Sequence, residues 1–216
     1  MIIIVKPIHK TIGGLLALIL VCLTLFYCRC APYLLPYSPP IPTDTAAWKE
    51  LELYQRTELS QIPERILTHQ RTEVLIQSTL NQYCIGDYIA YWPDYDRAYR
   101  AIQNKCNGLG ELELREDAAK ELINAYAKAR VAEMGESSFA SRKRLRNLEF
   151  IIAQDAFLSK MSDSEFAELS SVSQEKYKQK VQMGWDRSGC LMFYSVLRCS
   201  HYADEIVPPD FSDLPE

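Results

Sequence analysis

Between Thr11 and Cys28 the chain carries no charge over 18 residues, TIGGLLALILVCLTLFYC. As a helix this run rises about 27 Å at roughly 1.5 Å per residue. The hydrocarbon core of a bilayer is about 30 Å thick, so the run is just long enough to span it. Lys6, Lys10 and Arg29 flank it, and residues 1–30 hold no acid. A cleaved signal peptide is the competing reading. It fits less well, because the run exceeds the usual signal core and only Cys28 and Cys30 stand near a small-residue cleavage site before Ala31. No cysteine follows the leucine–small–small triplet of a bacterial lipid-attachment site. Cys28 and Cys30 do occupy a juxtamembrane position where acylation occurs.

Lys6 and Lys10 precede the run and only Arg29 follows closely. The positive-inside bias then keeps residues 1–10 cytoplasmic and exports the rest. The expected location is the inner (cytoplasmic) membrane, single-pass, with a domain that is periplasmic in a Gram-negative cell.

Residues 31–43 read APYLLPYSPPIPT, and their five prolines forbid helix and favour extended chain. The expectation is a semi-rigid spacer over 29–44 that lifts the domain off the bilayer. The exported domain then covers 45–207, and 208–216 form a tail.

Setting the three N-terminal cations aside turns a formal charge of −4 into 21 basic and 28 acidic residues, or −7. That balance excludes nucleic acid as a general partner, since phosphates demand a surplus of cations. Apolar residues at 48% and charged residues at 24% exclude wholesale disorder.

Helical patterns fill the domain. Ala46–Glu58 is amphipathic, and Ser60 before Pro63-Glu64 marks a helix start running to about Tyr83. Glu111–Met134 shows a stripe of Leu114, Ala118, Leu122, Ala125, Ala129 and Ala132, closed by Gly135. A helix capped by Ser137 or Ser138 should reach Lys160 with Leu145, Leu148, Ile152 and Ala156 inward. Ser162-Asp163-Ser164-Glu165 has capping-box spacing. Gln174–Met183 and Cys190–Cys199 complete the set. No stretch alternates like a strand. The expected fold is all-α: a single N-terminal transmembrane helix, a Pro-rich linker and a bundle of five to seven helices.

Cys84, Cys106, Cys190 and Cys199 lie in the domain, and an even number of cysteines in an oxidising compartment suggests disulfides. Local pairing favours Cys84–Cys106 and Cys190–Cys199. The second pair requires a turn between its cysteines, because a straight helix would hold them about 13 Å apart. A zinc site from Cys190, Cys199 and His201, with a fourth ligand from Cys84, Cys106 or His69, competes poorly because its spacing is too open. No metal and no cofactor is expected.

The stretch 83–99 concentrates aromatic rings and acids. Tyr88, Tyr91, Trp92, Asp94 and Tyr95 are the candidate binding residues, since flat apolar faces beside acceptors suit a carbohydrate or peptide groove. The plainer reading is a loop packing its rings onto the bundle. Asp155 joins the candidates because Ile151, Ile152, Leu158 and Ser159 offer it no intrahelical cation. Arg142-Lys143-Arg144-Leu145-Arg146 is the one basic cluster and reads as a solvated face. Trp185-Asp186-Arg187 reads as a loop ion pair beside an aromatic anchor. Cys199 and His201 form a conceivable nucleophile pair. No serine-nucleophile elbow, phosphate loop or H-E-x-x-H is present, and no catalytic residue is assigned.

The functional expectation is a membrane-anchored exported helical domain that binds another envelope protein or a cell-wall component, in an assembly, secretion-accessory or inhibitor role. The alternative is an envelope glycan- or peptide-acting hydrolase using carboxylates of 83–99 or Asp155.

Overall fold

The computed structural model describes residues 33–91, 93–132 and 139–212. The apolar run 11–28, Trp92, Gly135, Ser137 and Ser138 lie outside the described residues. Among those described, no helix is long and apolar enough to cross a membrane.

The described chain is all-helical, without a strand, as the sequence predicts, but its helices are shorter and more numerous. They are α1 (Ala46–Glu50), α2 (Leu53–Leu59), α3 (Glu64–Leu67), α4 (Thr72–Leu80), a 3-10 segment (Tyr83–Tyr91), α5 (Tyr95–Gln103), α6 (Asn107–Leu114) and α7 (Ala118–Lys128). Then follow α8 (Phe139–Ile152), α9 (Asp155–Leu158), α10 (Asp163–Gln182), α11 (Arg187–Cys190), α12 (Met192–Leu197) and a 3-10 turn (Ala203–Glu205).

Tertiary contacts cut the expected long helices. The stripe over 111–134 breaks between α6 and α7. Arg115 there turns extended and donates to the carbonyls of Leu67 and Gln70 while pairing with Glu111 at 2.9 Å. Leu114, placed on the buried stripe, is 80% exposed as a result. The helix expected over 63–83 breaks at the same clamp. Its 68–71 stretch frees the Leu67 and Gln70 carbonyls for Arg115.

Other boundaries follow local chemistry. Ser162 and Glu165 form the expected capping box, and α10 runs on from it as one helix. Gly184, with φ +71°, ends α10 in a Schellman turn in which Trp185 N–H reaches back to the Lys180 carbonyl at 3.0 Å. That turn folds the Trp185 ring over the Lys180 ammonium, 5.3 Å from the ring centroid.

The Pro-rich segment does not stand off the domain. Tyr37 N–H donates to Ser78 Oγ at 2.8 Å, Asn81 Nδ2 to the Tyr37 carbonyl at 3.0 Å and Gln70 Nε2 to the Leu35 carbonyl at 2.9 Å. Tyr33 and Leu34 are helical despite the prolines around them, but 36–39 form no regular element, so α4 and its flanks supply hydrogen bonds there. The tail packs likewise: Phe211 meets Tyr177 and Tyr194 edge-on at 5.5 and 5.6 Å.

Two buried clusters hold the bundle. Around Phe150 of α8, Tyr88 stacks at 4.5 Å, and Tyr95 and Tyr99 tilt against it at 6.3 and 6.1 Å. On the other side of α8, Glu149 and Lys180 form an ion pair at 2.6 Å with side-chain exposures of 0% and 1%. Tyr126 O–H donates to Glu149 Oε1 at 2.7 Å, and Lys180 Nζ donates to the Gly189 carbonyl at 2.9 Å. Burial and the Glu149 charge push the Tyr126 phenol well above its ordinary pKa, so it remains a donor.

Cys84 and Cys106 are paired, with Cα atoms 6.2 Å apart, which ties the 3-10 segment to the start of α6. The expected Cys190–Cys199 disulfide does not form. Cys190 is buried at the end of α11 and Cys199 is exposed, because the helix α12 intervenes and carries the second cysteine away.

Two outcomes follow. Lys180→Met leaves Glu149 buried without its cation, and breaking such a pair costs about 3–5 kcal/mol. The urea midpoint should fall accordingly, and Glu149→Gln with Lys180→Met should recover most of the loss; a single variant as stable as the parent refutes the assignment. In thiol labelling without reductant, Cys199 should react promptly, Cys190 only on unfolding, and Cys84 and Cys106 not at all.

Candidate functional site

The aromatic segment turns inward. Tyr88 and Tyr95 are 4% and 2% exposed, so their rings fill the core around Phe150 and offer no face to a ligand. Burial raises both phenols, that of Tyr95 to about 12. Tyr91 is half-buried against the core, and Trp92 lies outside the described residues. Asp94 is spent on structure: it caps α5 by accepting from Arg97 N–H at 3.0 Å. Asp87 is the one acid of the stretch whose carboxyl is pushed upward, by burial, against the pull of Lys105 and Lys143.

Asp155, at the start of α9, has a partner that the sequence did not suggest. His201 approaches from beyond α12, its N–H donating to Asp155 Oδ1 at 3.1 Å while its Nδ1 bonds Oδ2. Partial burial pushes the Asp155 carboxyl up, but hydrogen bonds from Ser200 and His201 outweigh it and hold the group below the usual carboxylate range. The bond to Asp155 raises His201. Asp155 is therefore a carboxylate engaged with a histidine, not a protonated acid on an apolar face.

Asp155 lines a cleft of about 240 Å³ together with Asp96 and Glu113. Each of the other two acids is also engaged. Tyr99 O–H and Gln103 Nε2 donate to Glu113, and Asp96 pairs with Arg100 at 2.6 Å. Cys199 lies at the same cleft, but its thiol meets the carbonyls of Pro93 and Ser195 rather than the His201 ring. The nucleophile pair is thus not assembled. Among the described residues no three His, Cys, Asp or Glu side chains gather to hold a metal ion.

The basic cluster disperses instead of forming one solvated face. Arg146 packs over the Trp185 ring at 5.6 Å and pairs with Asp186 at 3.2 Å. Asp186 is therefore not paired with Arg187 as expected; it also caps α11 through Gly189 N–H. Arg144 is half-buried, donating to Asn81 Oδ1 at 2.9 Å and to Gln77 Oε1. Lys143 is exposed.

Lys143 and Arg144 border a second cleft, of about 630 Å³, between the 38–44 segment and the first half of α8. Tyr83, Pro39 and Pro42 give it apolar walls, and Asn81, Gln82, Ser38 and Asn147 give it polar ones. Sequence reasoning missed this place, since it needs the Pro-rich segment laid against α4. The basic run at 142–146 was the one signal of it.

Comparison with known proteins returns no match: no family model, no curated protein and no solved structure is similar to the chain.

The Asp155–His201 contact makes a pH prediction. The raised His201 contributes stability below the unfolded histidine value of about 6.5 and loses it as pH rises through its folded pKa. The lowered Asp155 contributes above about 3.9 and loses it as pH falls through its folded pKa. The contact is thus fully formed between about pH 4 and 6.5. An NMR titration of the His201 ring should show a midpoint above that of a free histidine, and Asp155→Asn should bring it down. An unchanged midpoint refutes the pairing.

Proposed function

We propose that the protein is a single-pass, membrane-anchored domain exported from the cytoplasm, acting by binding another envelope protein or a cell-wall component. The observation that carries this reading is the Cys84–Cys106 pair in a domain that follows an acid-free apolar run. A structural disulfide belongs to an oxidising compartment. The run 11–28, with its cations on the N-terminal side, supplies anchor and orientation together.

Binding is favoured over hydrolysis by how the carboxylates are used. A hydrolytic pair needs one acid kept protonated at working pH beside a second that stays ionised. At the Asp155 cleft every carboxylate is engaged by a histidine, an arginine, or a tyrosine and an amide. Asp155 is also shifted away from an acid's role.

Protease added to intact spheroplasts should digest the domain, and crosslinking in native membranes should capture an envelope partner. Full protection overturns the orientation. Turnover of envelope glycan or peptide that Asp155→Asn abolishes would replace binding by hydrolysis.

A further inference from the structure

The second cleft carries an electrostatic imbalance. Arg144 is half-buried, and it donates to two neutral amides, Asn81 and Gln77. Burial alone pulls its guanidinium down, with no carboxylate close enough to offset it. Glu73 and Glu121 stand on the other side of Arg144, but Glu73 pairs with Lys128 at 3.7 Å and Glu121 accepts from Asn124. Lys143 adds a second cation and forms no ion pair among the described residues; Asp87 is the carboxylate that feels it. The one acid lining the cleft is Asp44. Ala140 and Ser141 of α8 also line it.

A second observation is independent of charge. Asn147 lines the same cleft, is 3% exposed, and its Oδ1 has no hydrogen-bond partner. A buried acceptor left unpaired costs stability unless something donates to it. The site therefore calls for an anionic group and, beside it, a hydrogen-bond donor.

We infer that this cleft binds an acidic saccharide, with Arg144 and Lys143 holding its carboxylate or phosphate and Asn147 accepting from one of its hydroxyl or amide donors. The walls suit a sugar, because the exposed hydroxyls of Ser38, Thr43 and Ser141 face its hydroxyl groups while Pro39 and Pro42 meet its C–H face. An extended acidic peptide fits less well, because among the described residues no strand edge offers it backbone pairing. The inference deepens the cell-wall branch of the binding function and rests on it for the compartment where such sugars occur.

Calorimetric titration of the full chain in nanodiscs tests it and is blind to topology, so its failure is separable from failure of the export reading. The probes are N-acetylmuramic acid, N-acetylglucosamine 6-phosphate, neutral N-acetylglucosamine, inorganic phosphate and hexaglutamate. Both acidic sugars should bind about tenfold or more tightly than the neutral one, as a lost charge-assisted hydrogen bond implies. Arg144→Gln and Lys143→Gln should each weaken the acidic sugars several-fold and leave the neutral sugar unchanged. Lys143 is exposed, so its variant carries the test if Arg144→Gln fails to fold. Equal binding of acidic and neutral sugars overturns the inference. So do no heat with either acid at millimolar concentration, inorganic phosphate matching the sugar phosphate, or tighter binding of hexaglutamate.

Discussion

Glu149 and Lys180 sit face to face, almost wholly buried, and four helices must agree for them to do so. α8 brings the carboxylate, α10 the ammonium, α7 the Tyr126 hydroxyl and α11 the Gly189 carbonyl. Burying either charge alone is prohibitive, so each element is bound to its place by the cost of leaving the others unpaired. A buried pair of this kind adds little net stability over an apolar core. Its effect is on register: a rotation of α8 that satisfied the apolar contacts but misplaced Glu149 would strand a charge.

Fixing α8 fixes everything on its other faces. Phe150, next in the chain, points into the aromatic cluster of Tyr88, Tyr95 and Tyr99. Arg144 and Asn147, at helical spacing before Glu149, are then directed to the cleft beside the Pro-rich segment. The same orientation lays Arg146 over Trp185, whose position comes from the Schellman turn at Gly184. One helix thus carries core, ion pair and candidate site on separate stripes.

What the sequence made legible follows from interactions that are short in chain. The capping box at Ser162 needs only residues 162–165, and the Cys84–Cys106 pair closes a short loop. Local reasoning failed at Cys190–Cys199, where α12 intervenes, and the other large failures are contacts distant in chain. Arg115 reaches across more than forty residues to the Leu67 and Gln70 carbonyls, which splits two helices that periodicity alone would run through. His201 reaches Asp155 over a comparable distance, and no local pattern announces it. The aromatic stretch left two readings open because ring content is the same for a groove and for a core. Only the position of Phe150 decides which way the rings turn.

By itself the sequence determined an all-helical domain and an acid-free apolar run before it, because helical periodicity and hydropathy are properties of neighbouring residues; of the two local cysteine pairs it offered, the tertiary structure kept one. The tertiary structure alone decided which charges are paired. Asp155, Glu149 and Arg146 each found a partner from a distant element, whereas Arg144 found only amides. Coulomb energy and desolvation depend on separation and burial in space, and chain order encodes neither.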